Sequence, residues 1–169
     1  GRPQTRLEEN YGAMSDELFA MAADGTWPAP ASPSGGRHGA PRVGDGVMRL
    51  DEGGTVEYAS PNALSAVRRL GHQGPIEGEV LVQVIGNLPG QAGNLDEGVA
   101  LVAMGRAAWR ADVEVGGAAL AMRAVPLVRQ RARHGAIVVV RDVSELRRRG
   151  SEVMTKDQTI REIHHRVKN

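Results

Sequence analysis

The sequence predicts an α+β fold: a five-stranded antiparallel sheet with short helices on one face, flanked by an amphipathic helix at each end. Three observations carry that expectation. Two short alternating segments, 47–51 and 55–58, flank a Glu52-Gly53-Gly54 turn, the pattern of a hairpin. Short helix-type segments with cap and stop signals follow. Three longer strand-like segments, 108–115, 118–129 and 135–142, then succeed one another, with Gly116-Gly117 and Arg133-His134-Gly135 read as the turns. Two strands, several helices and a three-strand meander fit one sheet covered on one side.

Taken in order, residues 5–24 read as a helix. Leu7, Tyr11, Met14, Leu18 and Met21 stand at alternating spacings of four and three, an a/d stripe over two heptads. Thr5 and Glu8 have capping-box spacing, and Gly25 is a stop signal. Gly12 weakens the middle by about 1 kcal/mol relative to Ala. The stripe either packs on its own domain or forms a dimer; spacing leaves both open. Domain boundaries follow as 1–25 for this connector helix, 26–44 for a flexible linker rich in Pro and Gly, 45–144 for the globular unit, and 145–169 for a final helix.

Within the globular unit, Ser60 is placed to cap a helix with Pro61 at its first position. Ala63, Leu64, Val67 and Leu70 form its apolar face and Gly71 closes it. Val80 to Ile85 is a short buried element, helix or strand. Asn94 is placed to cap a further helix running to Met104, with Asp96 and Glu97 near its positive end. In the last segment Ser144 reads as a cap. Leu146, Val153, Ile160 and Val167 recur every seventh residue, with Ile163 at a d position. Such a stripe wants a partner helix, although Gly150 and Thr155 weaken its middle.

Composition narrows the function classes. Apolar residues make up 41% of the chain but aromatics only 3%, so the core is aliphatic. A net charge of +1 supplies no general drive toward nucleic acid or an anionic membrane. With no cysteine, disulfides, thiolate metal sites, Cys nucleophiles and Cys-adduct flavin chemistry are excluded. No stretch approaches the roughly 20 apolar residues that span a bilayer, and no signal-peptide run opens the chain; a cytoplasmic protein is expected. Arg147, Arg148 and Arg149, flanked by Glu145 and Glu152, read as a solvated helix face. His72 and His134 beside turn glycines are expected to be exposed, Trp109 to pack on its strand, and Arg110 to be surface charge. Gly44-Asp45-Gly46 is too short and lacks the lysine needed for a nucleotide loop.

Two groups of residues bring a family into view. The stretch from Gly46 through Pro61-Asn62-Ala63 resembles the opening of a PAS domain, and Val140-Arg141-Asp142-Val143-Ser144-Glu145-Leu146 resembles the junction where such domains pass their last strand into an outgoing helix. Thr159-Ile160-Arg161-Glu162-Ile163-His164-His165-Arg166-Val167-Lys168-Asn169 resembles the acceptor box of sensor histidine kinases of the His-Arg-Val-Lys-Asn type. The resemblance covers the chain from about Leu7 onward. It implies that His165 is the phospho-acceptor, that an ATP-binding domain lies beyond Asn169, and that the segment alone neither binds ATP nor labels itself. It implies ATP and Mg2+ for the full-length kinase, no cofactor in this segment, a homodimer through helices, and a response-regulator partner, in several such kinases one with an RNA-binding antiterminator module. The first helix resembles the connector leaving an upstream domain, commonly a GAF domain. Haem-binding PAS domains usually take a His from the central helix, and residues 96–106 contain none.

Helix geometry is compatible with that assignment. At about 100° per residue, His164 falls near the edge of the apolar stripe and His165 projects to its side, at an f-type position. A neutral imidazole is nucleophilic near pH 7 without special activation. Glu162, three residues before, and Asn169, four after, share its side; Glu162 is placed to orient the imidazole, and resemblance to other kinases with an Asn one turn on implies that Asn169 positions a water. Many histidine kinases carry an acid directly after the acceptor, where Arg166 stands here, so the base is left open. Glu162 and His165 also have the spacing of a di-iron ligand pair, without the further carboxylates such a site needs; no metal is expected. The alternatives are a non-catalytic PAS module for binding a small ligand or for dimerisation, and a phosphotransfer protein without a kinase. The Ala, Val, Leu and Gly lining of the expected pocket favours a structural role over ligand binding.

Overall fold

The computed structural model describes residues 3–24, 44–91 and 95–168, with the side chains of residues 3–5, Thr155, His165 and Lys168 outside the described set. The order is α1 (Pro3–Ala23), β1 (Gly46–Asp51), β2 (Val56–Ala59), α2 (Pro61–Arg69), α3 (Leu81–Gly86), α4 (Glu97–Met104), β3 (Trp109–Val115), β4 (Ala118–Arg129), β5 (Ala132–Asp142) and α5 (Ser144–Lys168). The strands form one sheet in the order β2-β1-β5-β4-β3, with every neighbouring pair antiparallel. This is the expected α+β, PAS-like plan. The segment at 80–85 resolves as the short helix α3, and most of the predicted linker lies outside the described residues.

Alternation along the strands divides the sheet into two faces. Met48 and Leu50 of β1, Met122 and Ala124 of β4, and Val138 and Val140 of β5 point inward, against Leu70, Leu81, Ile85 and Val102 from α2, α3, α4 and their flanks. The opposite face carries a smaller cluster of Tyr58, Val125, Leu127 and Ile137, and onto it α1 lays Met14 and Met21. The short helices α2, α3 and α4 thus share one face, as expected, and the terminal helix α1 lies on the other. The first amphipathic stripe is partly covered by its own sheet: Met14 and Met21 are each less than 5% exposed, while Tyr11 stays exposed.

The β2–α2 corner explains the Ser-Pro-Asn sequence. The Ser60 hydroxyl accepts from the N–H of Val47 at 2.9 Å and of Ala63 at 3.4 Å, so one side chain caps α2 and ties it to β1. The Asn62 side-chain amide donates to the Gly44 carbonyl at 3.2 Å. Helix and strand approach so closely that a Cβ on Gly46 would sit 2.4 Å from Ala63 Cα, a contact only glycine permits.

Four boundaries differ from expectation. α1 starts at Pro3, which puts Thr5 inside its first turn and not at its cap. Asp96 caps α4, its carboxylate accepting from the N–H of Gly98 and Val99; Asn94 lies outside the described residues. The β4–β5 turn is made by Gln130 and Arg131, at φ 49° and 63°, with Arg129 paired to Ala132. Two left-handed residues make the tight turn that matches strand twist, but Gln and Arg give no sign of it in the sequence. Gly135 is instead a strand residue, where a Cβ would lie 2.4 Å from the Leu50 carbonyl oxygen. The fourth boundary, at the start of α5, concerns Ser144.

Candidate functional site

The chain passes from β5 to α5 across a single buried residue, Val143, whose N–H donates to the Ala119 carbonyl at 2.9 Å. Asp142, and not Ser144, caps the helix. Its Oδ1 accepts from the Ser144 N–H at 2.9 Å and from the Ser144 hydroxyl at 2.6 Å. Ser144 begins the helix, and its Oγ accepts from the Ala119 N–H at 2.9 Å, which joins α5 to the start of β4. The other oxygen of Asp142 receives Arg69 from the end of α2. Burial pushes the Asp142 carboxyl up, but the hydrogen bonds from Ser144 and from Arg69 outweigh it and hold the group below the ordinary carboxylate value.

Two further clamps surround this junction. Arg141 engages Asp45 through Nε and Nη2, both at 2.8 Å, and these bonds raise the guanidinium above its usual value against the cost of burial. The bidentate pair locks the segment before β1 to the end of β5. One turn into α5, Arg147 reaches Asp112 and, at 2.8 Å, Glu114 of β3. Arg149 pairs with Glu145 on the helix itself at 2.6 Å. The junction thus ties the root of α5 to β3, β4 and the end of β5. The long-range partners were not legible beforehand, because Asp45 and Arg141 stand 96 residues apart and Arg69 and Asp142 stand 73 apart.

Beyond this root, the 25 residues of α5 extend about 37 Å at the usual helical rise. Leu146, Val153, Ile160, Ile163 and Val167 are all more than half exposed, so the seventh-residue stripe has no cover among the described residues. Glu162 and His164 are exposed. Position 165 belongs to the same unbroken helix and lies about 140° around from the centre of the stripe, on the side of Glu162; the His165 side chain and Asn169 are outside the described residues. No group of three or more His, Cys, Asp or Glu comes together among the described residues.

Other predicted residues are placed as follows. Trp109 is half-buried against the core, with its ring over the start of α4: a Cβ on Gly98 would meet the indole Nε1 at 3.0 Å. Asp45 and Gly46 serve the clamp and the α2 contact just described. His72 is half-buried, Nε2 lying 3.4 Å from the Pro75 carbonyl. His134 departs from expectation. It lies within β5, Nε2 3.1 Å from Glu17 of α1, and its Nδ1 is shielded without a partner in the described structure. Glu17 is also paired to Arg49 at 2.5 Å, so a polar anchor supplements the methionines that hold α1.

The chain is 42% identical over 166 residues to the "Sensor histidine kinase PdtaS" of Mycolicibacterium smegmatis, covering 96% of this chain and 33% of that protein. It is 42% identical over 172 residues to the protein of the same name from Mycobacterium tuberculosis, covering 99% of this chain and 34% of the relative. The chain resembles the sensor part of a histidine kinase. A solved structure described as "Sensor region of a sensor histidine kinase" superposes with a TM-score of 0.70 at 38% identity, over 84% of this chain and 55% of that one. No family model matches. The chain spans about a third of the length of the curated relatives it matches.

Proposed function

We propose that this chain is the sensor and phospho-acceptor portion of a cytoplasmic two-component histidine kinase of the His-Arg-Val-Lys-Asn acceptor type. The observation that carries the reading is the continuity of α5. One helix leaves the sheet at the clamped junction and reaches the acceptor box without a break, with its apolar stripe uncovered. Identity to sensor histidine kinases along nearly the whole chain supports it.

In this reading two copies associate along the α5 stripe, which leaves position 165 on the outside of the pair. A His165 ring nitrogen attacks the γ-phosphorus of ATP held by a separate domain, ADP departs, and the phosphoryl group later passes to an aspartate of a response regulator, including one with an RNA-binding antiterminator module. Glu162 accepts from the other ring N–H and fixes the tautomer; Asn169 positions a water for dephosphorylation. ATP and its Mg2+ are assigned to the separate domain, which supplies the charge neutralisation at phosphate. No helix among the described residues is long and apolar enough to cross a membrane, in keeping with a cytoplasmic placement.

The alternative of a PAS module that senses a small ligand has less support. The fully buried Met48, Leu50, Leu70, Leu81, Ile85, Leu88 and Val102 fill the space between sheet and helices with apolar atoms, which leaves few polar groups to orient a ligand. The role proposed for the domain is therefore to hold and tilt α5. In the full-length protein given labelled ATP, His165→Gln abolishes acid-labile, base-stable labelling and His164→Gln retains it. Labelling that survives His165→Gln overturns the assignment.

A further inference from the structure

The cations of α5 fall into two groups. Near the root, Arg147 is held by Asp112 and Glu114, and Arg149 by Glu145. Arg148, Lys156, Arg161 and Arg166 are exposed and meet no carboxylate among the described residues. An unpaired surface arginine is ordinary by itself, so place on the helix decides which of them can act. At about 100° and 1.5 Å per residue, Lys156 and Arg148 stand about 14 and 26 Å down the axis from position 165. Arg166 is adjacent in sequence but about 100° around the helix. Arg161 is one turn before position 165 and only about 40° from it, with Glu162 about 60° to the other side.

In an α-helix the Cα–Cβ bond tilts toward the N-terminus, so a residue overlies the turn before its own Cα. The surface that a residue at 165 overlies is therefore built by Arg161 and Glu162, one cation and one anion side by side. Asp157, four residues before Arg161, has the spacing of an ion pair, yet no bond joins the two among the described residues. The guanidinium is thus not committed to its own helix. The two side chains suit different parts of a phosphorylated imidazole. A carboxylate accepts from a ring N–H and repels phosphate. A guanidinium does the reverse, and its planar fork matches two phosphate oxygens at once.

We propose that Arg161 is a further catalytic residue of the acceptor site, its guanidinium binding two oxygens of the phosphoryl group as that group reaches His165. The inference rests on the kinase reading above. In the transfer, a bond forms between a His165 ring nitrogen and the γ-phosphorus of ATP. The bond from that phosphorus to the bridging oxygen breaks, and ADP departs with the electron pair. The proton on the other ring nitrogen stays hydrogen-bonded to Glu162. Arg161 moves no proton; it neutralises charge on the equatorial oxygens of the group in flight. Because a separate domain holds the nucleotide, this contact acts on the transfer step and not on ATP affinity.

The test uses the full-length protein with labelled ATP and Mg2+. Arg161→Gln is expected to lower the labelling rate at saturating ATP by about tenfold or more, with the KM for ATP within about twofold of the parent. Arg161→Lys, which keeps the charge without the fork, is expected to recover part of that rate. Arg148→Gln makes the same charge change on the exposed face of the same helix and is expected to label within about twofold of the parent. Helix content read by circular dichroism should be equal in all four proteins, so that slower labelling reports the site and not the fold. A parental rate in Arg161→Gln, a loss carried by KM alone, or an equal loss in Arg148→Gln overturns the proposal. A parent that takes no label overturns the kinase reading itself, and this inference with it.

Discussion

The two terminal helices carry the same kind of message and meet different fates. Both α1 and α5 display apolar residues at heptad spacing. The stripe of α1 is held on its own sheet by the buried Met14 and Met21, with Tyr11 left exposed, while that of α5 is more than half exposed from Leu146 to Val167. The difference lies in the roots. α5 is fixed at its first two turns by Asp142, Ser144 and Arg147 and points away from the sheet, whereas α1 is drawn across the sheet by Met14, Met21 and the Glu17 contacts to Arg49 and His134. Heptad periodicity thus reports that a helix has a seam and is silent on whether the same molecule fills it.

This contrast can be broken most severely by deleting each stripe in turn. Met14→Ala with Met21→Ala removes two buried side chains and is expected to lower stability by about 2–5 kcal/mol, read from urea unfolding, or to release α1, read as loss of amide protection in residues 6–23. Val153→Glu with Ile160→Glu should leave the unfolding free energy within about 0.5 kcal/mol of the parent while weakening self-association along α5. Equal destabilisation by both pairs would mean that the α5 stripe is buried against its own domain.

The junction is a smaller and sharper target. Asp142→Ala removes a helix cap and the Arg69 partner, at a cost of about 1–2 kcal/mol, with faster amide exchange confined to the first turns of α5. Its pH dependence has a definite sign. The folded pKa of Asp142 lies below its ordinary value of 3.8, so its contribution is fully present above that value and is lost as pH falls through the lower folded one. Protection at the α5 root should therefore decline below about pH 4 in the parent and lose that decline in Asp142→Asn. Arg149→Ala, which removes only the exposed Glu145 pair, should change stability by no more than about 0.5 kcal/mol.

Several elements were legible from local chemistry. Glu52-Gly53-Gly54 announced the first hairpin, and Ser60-Pro61 announced α2 and its cap, because turn and cap preferences act over three or four residues. The turn at Gln130-Arg131 was missed for the converse reason: neither residue prefers the left-handed conformation, and strand pairing imposes it on them. Gly135 was misread as a turn residue because an isolated glycine does not distinguish a bend from a close approach, here of the Leu50 carbonyl. His134 was placed in solvent by its neighbours in sequence, whereas Glu17, 117 residues away, is what meets it.

Periodicity and short-range signals were enough to define the strands and the two amphipathic helices, while the box at 159–169 was read from its resemblance to a family. Which face of the sheet α1 covers and how Asp142 rather than Ser144 caps α5 were decided only in three dimensions. Those outcomes depend on charges and carbonyls brought together from distant parts of the chain, and each is a contact energy that no single segment contains.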